Sequence, residues 1–435
     1  MQTNSSRGPH KAGCPSLTRR EFAAAATLGA LAGATLGPSS AAADDQDESA
    51  EEPLTDEASL SDEEASADEQ TAVDAVDDEG NTNVLLGFRD LSEEVSYQPI
   101  ATYDLPLGSV VYADCDTRAA VIQRSDTLSP LTVIGCLDYA SGEYTVVLPE
   151  PIGGRSFTPS EARATEQLLV WLEVNNTTDD WALYAVPFTG QEVGVSSPGL
   201  VQLGSGDADW LPPQFDVAAN RVVWQVMPDP SGPYSSKSSH AYLWTLGQTS
   251  GTSVWESPGR FACEPNISAG VLTLTPRVTP DQGVYYAVIA LDLDRNLELV
   301  DQVSMPVSVK PFRATRVGDV FAFSVEANYG YGGRLGNMGY YIGDGAGPYR
   351  YLSREPSAQV SAVGGRYVVR SLLSYFVVDP ELETYTVLSA ASSCVDYGDY
   401  PACAGTVGQF VTYAAVKDVA TGIPSHVSVR VFSLA

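Results

Sequence analysis

The chain has 435 residues, a formal net charge of -31, and a composition 44% hydrophobic but only 18% charged. That apolar share is enough for a sizeable core, whereas so acidic a surface repels phosphate backbones and anionic headgroups, which excludes nucleic acid and acidic membrane surfaces as natural partners. A protein partner, or a neutral or cationic ligand, stays open.

The first 43 residues are net basic, through Arg7, Lys11, Arg19 and Arg20 against Glu21. Within them Ser16, Leu17, Thr18, Arg19, Arg20, Glu21 and Phe22 resemble the twin-arginine export signal, in which a hydroxyl residue precedes the arginine pair and an apolar residue follows one position later. An Ala- and Gly-rich run over 22–37 supplies the hydrophobic region, and Ala41, Ala42 and Ala43 close it as a small-residue cleavage site. The run is too short and too poor in Leu, Ile and Val for a membrane span. The resemblance implies export of a folded protein to an extracytoplasmic location, by secretion or to the cell envelope, with Arg19, Arg20 and Phe22 as the recognised residues.

Residues 44–80 hold 17 acidic residues and no basic one. With no aromatic residue, the stretch 44–82 cannot bury enough apolar area to offset its ordering entropy, and its like charges repel, so it reads as a disordered acidic linker. The expected division is a signal peptide over 1–43, the linker over 44–82 and a folded domain over 83–435.

From residue 85 the texture changes to short runs of Val, Tyr, Leu and Trp punctuated by Gly, Pro, Asp and Ser, with no helical periodicity, so the body is all-β. Seven segments share an apolar strand, at 119–123, 168–172, 221–225, 271–275, 320–324, 367–371 and 410–414, spaced by roughly 43 to 54 residues. Most follow a turn containing Gly or Asn, and most are followed by a second apolar run, as at 182–186, 241–245, 285–289 and 427–431. This period fits one four-stranded propeller blade. The reading is a seven-bladed β-propeller, with six or eight blades as alternatives. The last unit stops just after its third strand, and a spare strand at 97–103 precedes the first; the N-terminal strand is expected to close the last blade and remove an open edge.

The layout of Asp209, Trp210, Pro212, Pro213 and Asp216 before the apolar run at 221–224 is similar to the Pro-bearing first strand of TolB-like and WD40-like propellers. The resemblance spans roughly residues 97–435 and implies the fold alone, since Gly-His and Trp-Asp signatures are absent.

The chemistry is sparse. Beyond the signal the cysteines are Cys115, Cys136, Cys263, Cys394 and Cys403. Disulfides are permitted outside the cytoplasm, and Cys394 with Cys403 is the expected staple of one inter-blade loop, Cys115 with Cys136 the next pairing. His240 and His426 are too few for a multi-histidine metal centre and read as surface or edge residues. No metal site is assigned. Asp292, Asp294, Asn296 and Glu298 resemble half of a calcium loop without its turn glycine, and Asp396 with Asp399 is a second weak candidate for Ca2+; no cofactor is required. Long connections at 174–180, 227–239, 327–337 and 394–403 are expected on one face, where binding surfaces concentrate. Their candidate ligand- or partner-binding residues are Tyr234, Tyr329, Tyr331, Arg334, Tyr397, Asp399 and Tyr400. The functional expectation is an exported, monomeric binding module with no assigned catalytic residue. The alternatives are a propeller enzyme, such as a glycan hydrolase or lyase with paired carboxylates near the channel, and a structural subunit of an envelope complex. Carboxylates converging with an Arg at the channel favour the enzyme; an aromatic surface favours binding.

Overall fold

A computed structural model describes residues 75–125, 131–188, 190–279, 283–307, 309–326, 335, 337–354, 359–371 and 374–434. Their strands hydrogen-bond into seven sheets, which follow one another along the chain over residues 109–148, 158–206, 214–257, 266–304, 311–352, 361–389 and 394–432. In each, the apolar segment of the repeat is the second strand: Arg118–Gln123, Leu168–Val174, Arg221–Val226, Val271–Leu274, Val320–Val325, Arg366–Arg370 and Phe410–Lys417. These strands read as apolar runs because they are flanked by strands on both edges and packed against side chains on both faces; Leu168–Val174 is buried over its first six residues. The hairpin leading into them is tight where the sequence carries small residues: Ala269 and Gly270 have φ of 48° and 80°, Gly364 and Gly365 of 57° and 83°. Paired positive φ values give a turn whose twist matches that of the strands.

Each sheet packs face to face on the next. Trp171, Ile134 and Tyr184 sit between the first and second sheets, Phe215, Trp224 and Leu183 between the second and third, and Phe321, Tyr341 and Val288 between the fourth and fifth. The seventh returns to the first, since Phe410, Phe432 and Val429 share one cluster with Val111, Ala119 and Val121. The first strands of neighbouring sheets meet around the middle. This is an all-β β-propeller.

The closing strand is where the repeat places it. Pro99–Leu105 pairs antiparallel with Pro424–Phe432, from Pro99 opposite Phe432 to Leu105 opposite Val427, and forms the outer strand of the seventh sheet. The residues before it hold a feature that the repeat does not announce. Thr82–Asn83 adds a parallel strand to the outer edge of the fifth sheet, at Arg350–Leu352, and Arg89–Asp90 adds one to the sixth, at Thr384–Ser389. Between them the short helix Val84–Gly87, capped by the Asn83 side chain, turns Val84 and Phe88 into the seam between those sheets. Asn81 anchors the start: its amide NH2 donates to Asp77 at 3.0 Å and its Oδ1 accepts from the Tyr349 N–H at 2.9 Å. The strap covers two sheet edges that would otherwise be open. Residues 75–82, which composition assigns to the linker, thus include this anchor; the signal segment and the rest of the linker lie outside the described residues.

The expected Cys394–Cys403 staple is corrected by the structure. Residues Cys394–Pro401 are not a loop but the first strand of the seventh sheet. Cys394 lies opposite Val416 and Pro401 opposite Thr412, so the segment spans four positions of its partner strand, about 13 Å at strand rise. A disulfide needs Cα atoms within about 7 Å, and Cys115, Cys136, Cys263, Cys394 and Cys403 are all free thiols. Among the described residues no helix is long and apolar enough to cross a membrane.

Candidate functional site

Two places gather chemistry. The first is the hub, where first strands meet. Arg163, on Thr158–Ala164, donates to Asp114 at 2.9 Å and to Glu161 at 3.1 Å, and lies 4.0 Å from Asp216. Asp216 Oδ2 accepts from the Ile267 N–H at 2.6 Å and from Asn266 Nδ2 at 3.1 Å, which ties the third sheet to the fourth. Asn266 continues the chain to Thr315 of the fifth sheet, while Glu264 bonds Gln359 at 2.8 Å and pairs with Arg313 at 3.5 Å. Ser268 meets Thr406 at 3.0 Å. Burial pushes the Asp216 carboxyl up to about 7 and raises Asp114, with Arg163 opposing both. The side chains of Asp114, Glu161 and Asp216 keep 8% of their surface or less. The convergence of carboxylates on an arginine is therefore present, buried and largely bonded within and between sheets, with Asp114 Oδ2 lacking a partner among the described residues.

The second place lies between the second and third sheets, towards their outer strands. Trp181 from one sheet and Trp224 and Tyr242 from the other, with Trp210 from the connection, wall a cavity of about 330 Å³. Trp224 stacks on Tyr242 at 5.4 Å and Trp210 on Tyr234 at 5.8 Å. Glycines on the outer strands let the indoles lie flat: a Cβ at Gly251 would fall 2.1 Å from the Trp224 ring, and one at Gly206 2.6 Å from the Trp181 ring. At Gly204 the nearest atoms to such a Cβ are Trp224 Nε1 at 3.5 Å and the Trp181 ring at 3.6 Å, so space is left. The Trp171, Trp181 and Trp244 indole N–H groups donate to Glu173, to the Trp210 carbonyl and to the Gln248 carbonyl. Trp224, only 3% exposed, has no partner for its N–H among the described residues and turns it towards Gly204 at the cavity wall. Ser205 and Ser250 add hydroxyls, and none of the lining residues is charged.

The sequence-derived candidates distribute as follows. Tyr234 belongs to this second place, its ring covered by the Lys237 ammonium at 3.8 Å. Tyr400 lies on the seventh sheet, 40% exposed, with the Arg370 guanidinium 4.3 Å over its ring. Asp399 is not a surface handle: it is 2% exposed, accepts from Tyr375 Oη at 2.9 Å and from the Ala391 N–H at 2.6 Å, and pairs with Arg430. Tyr397 is in the same strand, Cys394–Pro401, but its side chain is outside the described residues, as is that of Asp396. Tyr329, Tyr331 and Arg334 lie outside the described residues altogether. In the calcium-like segment Asp292 accepts from the Asp294 and Arg295 N–H groups and pairs with Arg295, while Asp294 reaches Arg221 at 2.6 Å; these are turn and ion-pair roles. His426 pairs with Asp104 at 3.2 Å, and His240 sits 6.2 Å from Tyr242. Sequence reasoning missed Trp181, Trp224 and Gly204 as site residues. The available signal was glycine at 204, 206 and 251 in otherwise strand-like runs, which marks close approach of another group.

The fold and these two places define a β-propeller with a polar hub and one aromatic cavity. By sequence the chain matches no protein-family profile and no curated protein. Solved structures resemble it distantly. An acylaminoacyl peptidase from Pyrococcus horikoshii aligns at 9% identity and a TM-score of 0.48, over 78% of this chain and 54% of that one. A prolyl endopeptidase aligns at 14% identity and 0.46, over 77% and 50%. The β-propeller domain of the Trilobed protease from Pyrococcus furiosus aligns at 10% and 0.39, over 61% and 78%. The chain thus spans about half the length of the peptidase chains it matches.

Proposed function

We propose that this protein is an exported binding protein, in which each of the seven sheets is one blade of a closed ring and the aromatic cavity between the second and third takes a neutral ligand. A twin-arginine signal over 1–43 delivers it outside the cytoplasm, and an acidic linker precedes the propeller. The observation that carries the binding reading is the Trp224 indole N–H, which bonds to no group among the described residues and is open to an uncharged aromatic cavity. Solvent in the cavity can accept from this N–H, and a ligand acceptor would take the place of that solvent. Sites of this kind, concave, mostly apolar and with few polar groups, are the usual small-ligand sites. The hub carboxylates support the enzyme alternative less well. They are buried and engaged with Arg163, Asn266 and the Ile267 N–H, so no substrate reaches them.

The test is a thermal-shift screen of the exported protein against neutral oligosaccharides and proline-rich peptides, with polyamines as the cationic contrast and Trp210→Ala as control. A neutral class must stabilise the wild type and not the variant, and stabilisation by polyamines alone would overturn the neutral-ligand reading. Turnover of a glycan that survives Trp210→Ala but falls with Glu161→Gln would install the enzyme instead. For export, Arg19→Lys with Arg20→Lys must leave a folded precursor in the cytoplasm; unchanged export in cells lacking the twin-arginine translocase would overturn that part.

A further inference from the structure

We infer that the ligand of the aromatic cavity is a neutral pyranose ring, held as part of an oligosaccharide; the inference rests on the binding reading above and gives it a ligand class. Three features of the cavity select this chemistry. Its walls are indole and phenol rings, Trp181 from one sheet, Trp224 and Tyr242 from the next, and Trp210 from the connection between them. A pyranose presents the same duality as these walls, a flat C–H face that packs on an aromatic ring and a rim of hydroxyls. Its polar groups are few and of matching kind: the Trp224 N–H donates, while Ser205 and Ser250 hydroxyls both donate and accept. A sugar hydroxyl or ring oxygen accepts the indole N–H, and its neighbouring hydroxyls meet the serines.

The third feature is charge. No lining residue is ionised, and the chain as a whole carries -31, which disfavours an anionic sugar or a phosphorylated ligand. A cationic ligand finds no carboxylate among the lining residues, and a nearby cation, Lys237, already lies over the Tyr234 ring at 3.8 Å. The volume, about 330 Å³, is at the small end of ligand sites and suits a single ring with its chain leaving along the seam better than a peptide laid across an exposed ridge. Trp224 is 3% exposed, so its N–H is reached only by a group that enters the cavity.

Gly204 gives a variant that blocks the cavity without disturbing the fold. Its backbone is not in the left-handed region, and a Cβ there would make ordinary contacts of 3.5 Å with Trp224 Nε1 and 3.6 Å with the Trp181 ring. Gly204→Ala places a methyl between the Trp224 N–H and the Trp181 ring.

The experiment is a titration of tryptophan emission in the exported protein with maltohexaose and with cellohexaose, and with a proline decamer in parallel. The inference expects saturable quenching by at least one hexaose, at least tenfold weaker in Gly204→Ala, whose melting temperature without sugar equals that of the wild type. Trp224→Phe, which keeps a ring but loses the donor, should weaken binding at least fivefold. Saturation by the proline decamer and not by a hexaose overturns the sugar assignment while leaving the binding module standing. Hexaose binding that Gly204→Ala leaves intact places the sugar elsewhere and overturns the inference, and silence from all three probes overturns it as well.

Discussion

Replacing Asp216 by Asn tests whether the buried hub sets the pH dependence of stability. Asp216 is 6% exposed, and burial lifts its carboxyl to about 7 despite the opposing pull of Arg163. A carboxyl whose folded value lies above the unfolded value of about 3.9 holds its proton more tightly in the folded state. Its contribution to stability is complete below about pH 4 and is lost as the pH rises through about 7. Linkage between those two values gives a loss of a few kcal/mol from pH 5 to pH 8. Asp114, raised for the same reason, acts in the same direction but remains in both proteins. The Asn amide oxygen can still accept the Ile267 N–H that Asp216 holds at 2.6 Å, so the bond between the third and fourth sheets survives. Urea unfolding followed by tryptophan emission at pH 5 and pH 8 measures the effect. The wild type should lose a few kcal/mol more than Asp216→Asn over that interval. Equal losses in the two proteins would refute the claim that this carboxyl is protonated in the folded hub at neutral pH.

The strap and the cysteines give further predictions. Phe88→Ala removes a ring that is 7% exposed in the seam of the fifth and sixth sheets, and urea unfolding should show about 3 kcal/mol of destabilisation. Deleting residues 44–70 should leave the midpoint unchanged, because a purely acidic, aromatic-free segment makes no core; a fall comparable to that of Phe88→Ala would contradict this. Peptide mapping after alkylation in denaturant should recover Cys394 and Cys403 unlinked, and Cys394→Ser should shift stability by less than about 0.5 kcal/mol. A cross-linked 394–403 peptide would show that the first strand of the seventh sheet is misassigned.

The repeat was readable because each second strand is buried on both faces, which forces an unbroken apolar run such as Leu168 to Leu172. The closing strand was readable for a related reason: a terminal unit short of one strand and a spare strand at the other end have one economical pairing, and Pro99–Leu105 takes it. The strap escaped because Thr82–Asn83 and Arg89–Asp90 are two-residue strands with no alternation to detect. Their place depends on edges 250 or more residues away in the chain. The segment 394–403 misled for the opposite reason. Its Gly398, Pro401 and two cysteines read as a loop, yet its backbone finds a partner in Phe410–Lys417 by way of a bulge between Cys394 and Asp399.

The site divides along the same line. Composition alone argues by charge against polyanionic partners, and strand texture alone placed Trp224 in an apolar second strand. Neither property says that an indole on one sheet faces an indole on the next. That depends on which side of each strand faces its neighbour and on glycines 204, 206 and 251 clearing the space between, all of which are relations between residues distant in sequence. Asp399 and Asp216 make the same point in reverse. In sequence both are carboxylates open to any role, and only packing reveals them as buried links between sheets, with partners at Tyr375 and Arg430 in one case and Ile267 in the other. Local pattern determined the apolar second strands and pointed to the N-terminal strand that joins the last sheet, because burial of a strand is written into its own residues. Tertiary packing decided which polar groups were sealed into the hub and which donor was left facing a cavity, because a hydrogen-bond partner is set by the neighbouring sheet.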